Sequence, residues 1–186
     1  MKRIPLHIEI SEENPAYLWA KKQSDSVNAM GHIGTHLDCY TKVPVDNAYK
    51  LDVAVFDCRN LMPVAKDFDQ HPLQGKAVLL FTDTLNTKGY GGTDYGAANT
   101  FFTQDALDAL LRQSPAFILI DGCGIGNHGE EHQRFDKQCE MNGCFVIENV
   151  LLTEDVVRTV KKIDIRIDLE TPSTGKRCDV FALCGQ

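Results

Sequence analysis

Four short, nearly uninterrupted apolar runs constrain this chain more than any other feature: Leu51 to Phe56, Ala77 to Phe81, Phe117 to Ile120 and Phe145 to Ile147. Each has strand length and too little polar character for a face in water, so the pattern predicts strands buried on both sides. Such a sheet needs covering layers. A further strand, with a single buried face, is predicted from Ile163 to Leu169, where apolar and charged residues alternate. Two helices are also legible. Thr103 precedes a stretch with Leu107, Leu110 and Leu111 on one stripe, and Thr153 precedes Glu154 to Val160; each Thr can cap a first helical turn. Helices between strands imply an α/β fold with a sheet core and flanking helices. No repeat, low-complexity run or linker divides the sequence, so residues 1–186 are expected to form a single domain.

The net charge of −7 argues against a nucleic-acid or anionic-membrane partner, either of which needs clustered Lys and Arg. A small-molecule partner is expected instead. No apolar stretch approaches the roughly 20 residues of a membrane span, and Met1 to His7 lacks the apolar core of a secretory signal. The seven cysteines are odd in number and widely spaced, with no Cys-x-x-Cys pair, which predicts reduced thiols used as small core residues in a cytoplasmic protein.

Chemistry concentrates in His32-Ile33-Gly34-Thr35-His36-Leu37-Asp38. If this segment is extended, even-numbered side chains share a face, so His32, His36 and Asp38 project together and Cys39 points away. A helix would also pair His32 with His36, but Gly31, Gly34, Ile33 and Thr35 disfavour one. Two imidazoles alone are more often structural; a carboxylate on the same face turns the reading toward a ligand set. Two neutral imidazoles and a carboxylate suit a divalent ion, Zn²⁺ first, with Mn²⁺, Fe²⁺ or Co²⁺ also suited. Three protein ligands leave room for water.

The same seven residues resemble the start of the signature H-x-G-T-H-x-D-x-P-x-H of the metal-dependent cyclase and kynurenine formamidase-like hydrolases. Gly75 to Thr84, Ala116 to Asp121 and Val146-Ile147-Glu148-Asn149-Val150-Leu151 follow in the family's order, the last being similar to its I-x-E-N-L. The resemblance implies the family's swivelling β/β/α fold with a mixed β-sheet core, metal ligands at His32, His36, Asp38 and Glu148, and a dimer or tetramer. It implies a hydrolase that attacks an amide, formamide or cyclic amide or ester through metal-activated water.

Three family positions differ, two of them functional. The signature's proline is Tyr40 and its last histidine is Lys42, while the histidine expected twelve residues before Glu148 is Asp136. Exchanging a neutral ligand for a carboxylate and adding an ammonium preserves local charge, which predicts one ion rather than two. Lys42 and Asp136, with Glu148, then become the proton-transfer candidates, unless Lys42 is merely solvated. The alternative is a family member that binds a small molecule or metal without hydrolysing it. The polar segment His128 to His132 reads as a surface loop, with His132 a second-choice ligand behind Asp136. The Gly-rich stretch from Asn86 to Thr100, with Tyr90 and Tyr95, is a candidate substrate loop.

Overall fold

The computed structural model describes residues 1–69 and 71–185. Among the described residues eight strands, β1 (Lys2–Pro5), β2 (His36–Asp38), β3 (Ala48–Asp57), β4 (Ala77–Phe81), β5 (Phe117–Ile120), β6 (Phe145–Glu148), β7 (Val160–Ile167) and β8 (Gly175–Cys184), are joined in the order β1-β8-β2-β6-β5-β4-β3-β7. A further β7–β8 pairing closes the sheet on itself. The two ten-residue strands make this closure possible by serving two layers each. Along β3, Ala48 to Asp52 pair antiparallel with β7, whereas Val53 to Asp57 pair parallel with β4. Along β8, Gly175 to Arg177 pair with β2, and Cys178 to Cys184 with β7.

The parallel strands β3, β4, β5 and β6 form the centre of one layer. On β4, Ala77, Leu79 and Phe81 face a core shared with Ile163, Ile165, Val180 and Ala182 of the second sheet layer. Val78 and Leu80 face a second core, against the helical layer. Sheet, sheet and helices thus stack as three layers, the β/β/α arrangement expected. Runs β4, β5 and β6 are buried on both faces as predicted; β3 is only partly buried, because it turns the corner between layers.

The helical layer holds α5 (Gln104–Arg112), capped by Thr103, with Ala106, Leu107 and Leu110 buried, and α6 (Glu130–Met141), with Phe135 and Cys139 buried. Before β2 come α1 (Pro15–Lys21) and α2 (Ser26–Gly31), which the sequence pattern does not announce. The stretch from Asn86 to Thr100 is less irregular than expected: it contains the end of α3 (Thr84–Lys88) and the single turn α4 (Thr93–Gly96). The short helix α7 (Glu154–Thr159), capped by Thr153, leads into β7. Among the described residues no helix is long and apolar enough to cross a membrane. All seven cysteines are free, and six of them are buried.

Candidate metal centre

The carboxyl ends of parallel strands leave backbone and side chains open to a crevice, which is where α/β folds commonly place ligands. Here β6 ends in Glu148, and its antiparallel neighbour β2 sets His36 directly opposite. Leu37 turns into the core between the sheets, so His36 and Asp38 share the other face. The expected continuous strand from His32 is not formed. Gly34 has φ of +78°, the strand starts at His36, and His32 caps the C-terminus of α2. The turn nevertheless brings His32 back, with Nδ1 2.9 Å from Asp38 Oδ1, while His36 Nε2 lies 3.2 Å from the same oxygen.

Helix α6 supplies the remaining wall. His132 and Asp136, one turn apart, project on one face, and His132 Nε2 lies 3.1 Å from Asp38 Oδ2, 3.2 Å from Asp136 Oδ2 and 3.3 Å from Glu148 Oε1. Two groups suited to a metal therefore share Asp38: His32, His36 and Asp38 on one side, and Asp38, His132 and Asp136 on the other. Glu148 adjoins both, 3.8 Å from His36 Nε2 through its other oxygen.

Three buried carboxylate oxygens, Asp38 Oδ1, Asp136 Oδ2 and Glu148 Oε1, have no hydrogen-bond partner although imidazole nitrogens stand close by. These oxygens lie within 2.9–3.3 Å of imidazole nitrogens without a hydrogen bond to any of them. Buried unpartnered acceptors cost about 1–3 kcal/mol each, more when charged. A cation is what such a set accommodates. The imidazoles are prepared for it: His36 Nδ1 donates to Gly34 O at 2.8 Å, which leaves Nε2 to face the cluster. Thr174 gives its own hydroxyl proton to Asn28 Oδ1, so it accepts from His32 Nε2 at 2.9 Å, and Nδ1 is the free nitrogen.

Electrostatics agree. Burial opposes charge on His36, but close contact with Asp38 and the field of Asp38 and Glu148 prevail and push its pKa up to about 9. For His132 the same contest, with Asp38, Glu148 and Asp136, ends at about 10. Burial works against ionised Asp38, yet the three imidazoles around it hold it well below the usual carboxylate range. Asp136 and Glu148 are pushed up, first by burial and then by neighbouring carboxylates. The crowded carboxylates thus favour positive charge at this point of the structure.

A cavity of about 420 Å³ opens over the cluster and is lined also by Tyr40, Tyr90, Tyr95, Cys123 and His128. Two of these tyrosines fasten the loop to the ligand segment. Tyr90 Oη accepts from Gly34 N at 2.9 Å. Tyr95 Oη donates to Asn149 Oδ1 at 2.6 Å, and Asn149 Nδ2 donates to Gly34 O at 2.9 Å, the carbonyl that orients His36. A second cavity of about 430 Å³, beside α1 and α2, contains no member of the cluster.

Of the residues singled out in the sequence, His32, His36, Asp38, Glu148 and Asp136 come together. Lys42 does not join them. Its side chain is exposed, and its backbone N–H is tied to Glu140 Oε2 at 3.0 Å. His132, given second rank and placed in a surface loop, is on a helix and contacts Asp38, Asp136 and Glu148. Its spacing of four from Asp136 was the available signal. Tyr40, read only as a departure from a proline, donates its hydroxyl to Asp38 Oδ2 at 3.0 Å.

No family model and no curated protein matches the sequence. Solved structures do. A potential metal-dependent hydrolase with cyclase activity is 18% identical with a TM-score of 0.68, covering 100% of this chain and 98% of its own. A predicted metal-dependent hydrolase from Bacillus stearothermophilus is 17% identical with a TM-score of 0.66, covering 97% of each chain. Isatin hydrolase A from Labrenzia aggregata, bound to benzyl benzoate, is 13% identical with a TM-score of 0.69, covering 100% of this chain and 94% of its own. The fold is therefore the cyclase-like one that the sequence resemblance implied.

Proposed function

We propose that this protein is a metal-dependent hydrolase of the cyclase family, acting on an amide, formamide or cyclic amide or ester of a small molecule. The observation that carries the reading is the set of unpartnered, buried carboxylate oxygens converging with oriented imidazoles beneath an open cavity. His32 Nδ1, His36 Nε2 and Asp38 would hold one divalent ion, zinc first; Asp38, His132 and Asp136, with Glu148 beside them, favour a second in place of the single ion expected. Bound there, such ions supply polarisation of a carbonyl and a water that is nucleophilic at neutral pH. The chain's own part is to fix the donor atoms before substrate arrives. His36 is set through Gly34, His32 through Thr174, and Asp38 spans both groups. Tyr90 and Tyr95 would form the wall against which a flat substrate packs, and α4 would limit entry of bulk water. The exposed Leu18, Trp19 and Val27 on α1 and α2 suit a homo-oligomer, since apolar surface of this kind is commonly covered by another chain.

One observation favours the second reading, a protein that binds without hydrolysing: Lys42, at the position of the family's acid/base histidine, is turned to solvent. Assay decides. Protein stripped with chelator and reloaded with Zn²⁺ or Mn²⁺ is given N-formyl anilines, lactams and isatin, the last being the cyclic amide named for one neighbour. Ring opening or deformylation that needs metal and is abolished in Asp38→Ala supports hydrolysis. Stoichiometric metal uptake without turnover of any compound contradicts it in favour of binding.

A further inference from the structure

Helix α6 carries a third acidic or basic residue at the same spacing as its two candidate ligands: His132, Asp136 and Glu140 follow one another at intervals of four. Glu140 is 1% exposed and stands apart from the metal cluster. Its carboxylate accepts the three successive backbone N–H groups that follow β2 and Cys39. Tyr40 N donates to Oε1 at 2.5 Å, and Thr41 N and Lys42 N donate to Oε2 at 2.7 and 3.0 Å. The Thr41 hydroxyl donates to the same oxygen. Four bonds to one buried side chain thus hold this segment. Lys137, also on α6, sets its ammonium 5.3 Å from the Tyr40 ring centroid, within cation–π range.

The consequence is directional. With the backbone of residues 40–42 clamped, Lys42 faces solvent, and Tyr40 is aimed into the cavity, where its hydroxyl donates to Asp38 Oδ2 at 3.0 Å. That oxygen is the one nearer His132, while Oδ1 serves the side of His32 and His36. A carboxylate oxygen has two lone-pair directions, so a donor occupying one leaves the other at a fixed angle for a cation. From this geometry we infer that Tyr40 is a positioning residue, anchored by Glu140, which sets Asp38 Oδ2 for the metal position on the His132 side. The inference rests on the proposed metal centre. It assigns the two halves of that centre different dependence on one hydroxyl. Helix α6 then acts in two ways, supplying His132 and Asp136 directly and orienting Asp38 through Tyr40.

Calorimetric titration of chelator-stripped protein with Zn²⁺ tests this without reference to catalysis. Wild type should show two binding events, one missing in His132→Ala and the other in His32→Ala. Tyr40→Phe should weaken the His132-dependent event by roughly 10–100-fold, the usual effect of losing a partner that orients a ligand, and leave the His32-dependent event within about threefold. Thr41→Val, a milder loosening of the clamp that keeps Glu140 and the Tyr40 hydroxyl, should move the same event in the same direction by a smaller factor. Tyr40→Phe with both events unchanged, or with both weakened equally, overturns the positioning role and leaves the hydrolase reading standing. A wild-type protein that takes up no zinc overturns both.

Discussion

Gly124 offers a sharp probe of the cluster because it stands against it without being part of it. Its φ is +87°, and a Cβ at this position would lie 2.5 Å from His132 Cε1 and 2.6 Å from Glu148 Oε1. Ordinary Cβ contacts begin near 3.4 Å, so Gly124→Ala must drive His132 and Glu148 back by roughly 0.8–0.9 Å, in an interior with little spare volume. The left-handed backbone costs about 1–2 kcal/mol for a residue with a side chain, and the crowding about 1–3 kcal/mol. The expected loss is about 2–5 kcal/mol, or a fall of roughly 5–15 °C in Tm for a domain of this size. Zinc affinity should drop about 10–100-fold, since the displaced groups are candidate ligands. Gly75→Ala separates the two effects. Gly75 also has positive φ, +67°, but nothing lies within 4 Å of its Cβ, so that variant should lose only the backbone portion and bind zinc as wild type. Thermal unfolding of the metal-free proteins and zinc titration read both quantities. Equal stability losses in the two variants, with zinc binding intact in Gly124→Ala, would refute this placement of His132 and Glu148.

Removing the Tyr95 hydroxyl in Tyr95→Phe leaves buried Asn149 Oδ1 without that donor, which should cost about 1–3 kcal/mol in urea unfolding; an unchanged midpoint would show that the loop is not fastened through Asn149. In metal-free protein His36 is pushed from 6.5 to about 9 and His132 to about 10, so the stability they contribute is complete below pH ~6.5 and lost as pH rises through those values. The His36 displacement alone corresponds to about 3 kcal/mol. Raised Asp136 and Glu148 act in the same direction, whereas lowered Asp38 stabilises above its ordinary 3.8 and loses that contribution as pH falls. Urea midpoints of the metal-free protein should therefore be highest near pH 5–6 and decline toward pH 9; a flat or rising profile would contradict the charge balance. Lys42→Ala should change stability by less than about 0.5 kcal/mol and leave zinc binding within about twofold, because its side chain is exposed and its backbone bond is retained.

The parts of this molecule that were legible in its sequence are those whose local pattern matches their surroundings. Strands β4 and β5 follow the apolar runs residue for residue, because burial on both faces leaves no room for polar side chains. Helices α5 and α7 announce themselves through a capping Thr. Helix α6 does not, for a physical reason: its buried face holds Asp136 and Glu140 as well as Phe135 and Cys139, with His132 on the same stripe, so the apolar stripe that marks an ordinary amphipathic helix is interrupted by the chemistry. His132 was undervalued for the same cause. The ligand segment was recognised by residue type and spacing, although His32 reaches the site from a helix cap rather than along a strand. Tyr40 and Glu140 could not be paired in advance, since a hundred residues separate them and only the packing of α6 beside β2 brings them together.

Anomalous X-ray scattering from crystals grown with excess zinc, measured on both sides of the zinc absorption edge, tests the metal centre most directly. A peak should stand about 2.0–2.2 Å from His32 Nδ1, His36 Nε2 and an Asp38 oxygen, with a second beside His132, Asp136 and Asp38. Zinc found only at surface side chains, or none bound within reach of Asp38, would contradict it.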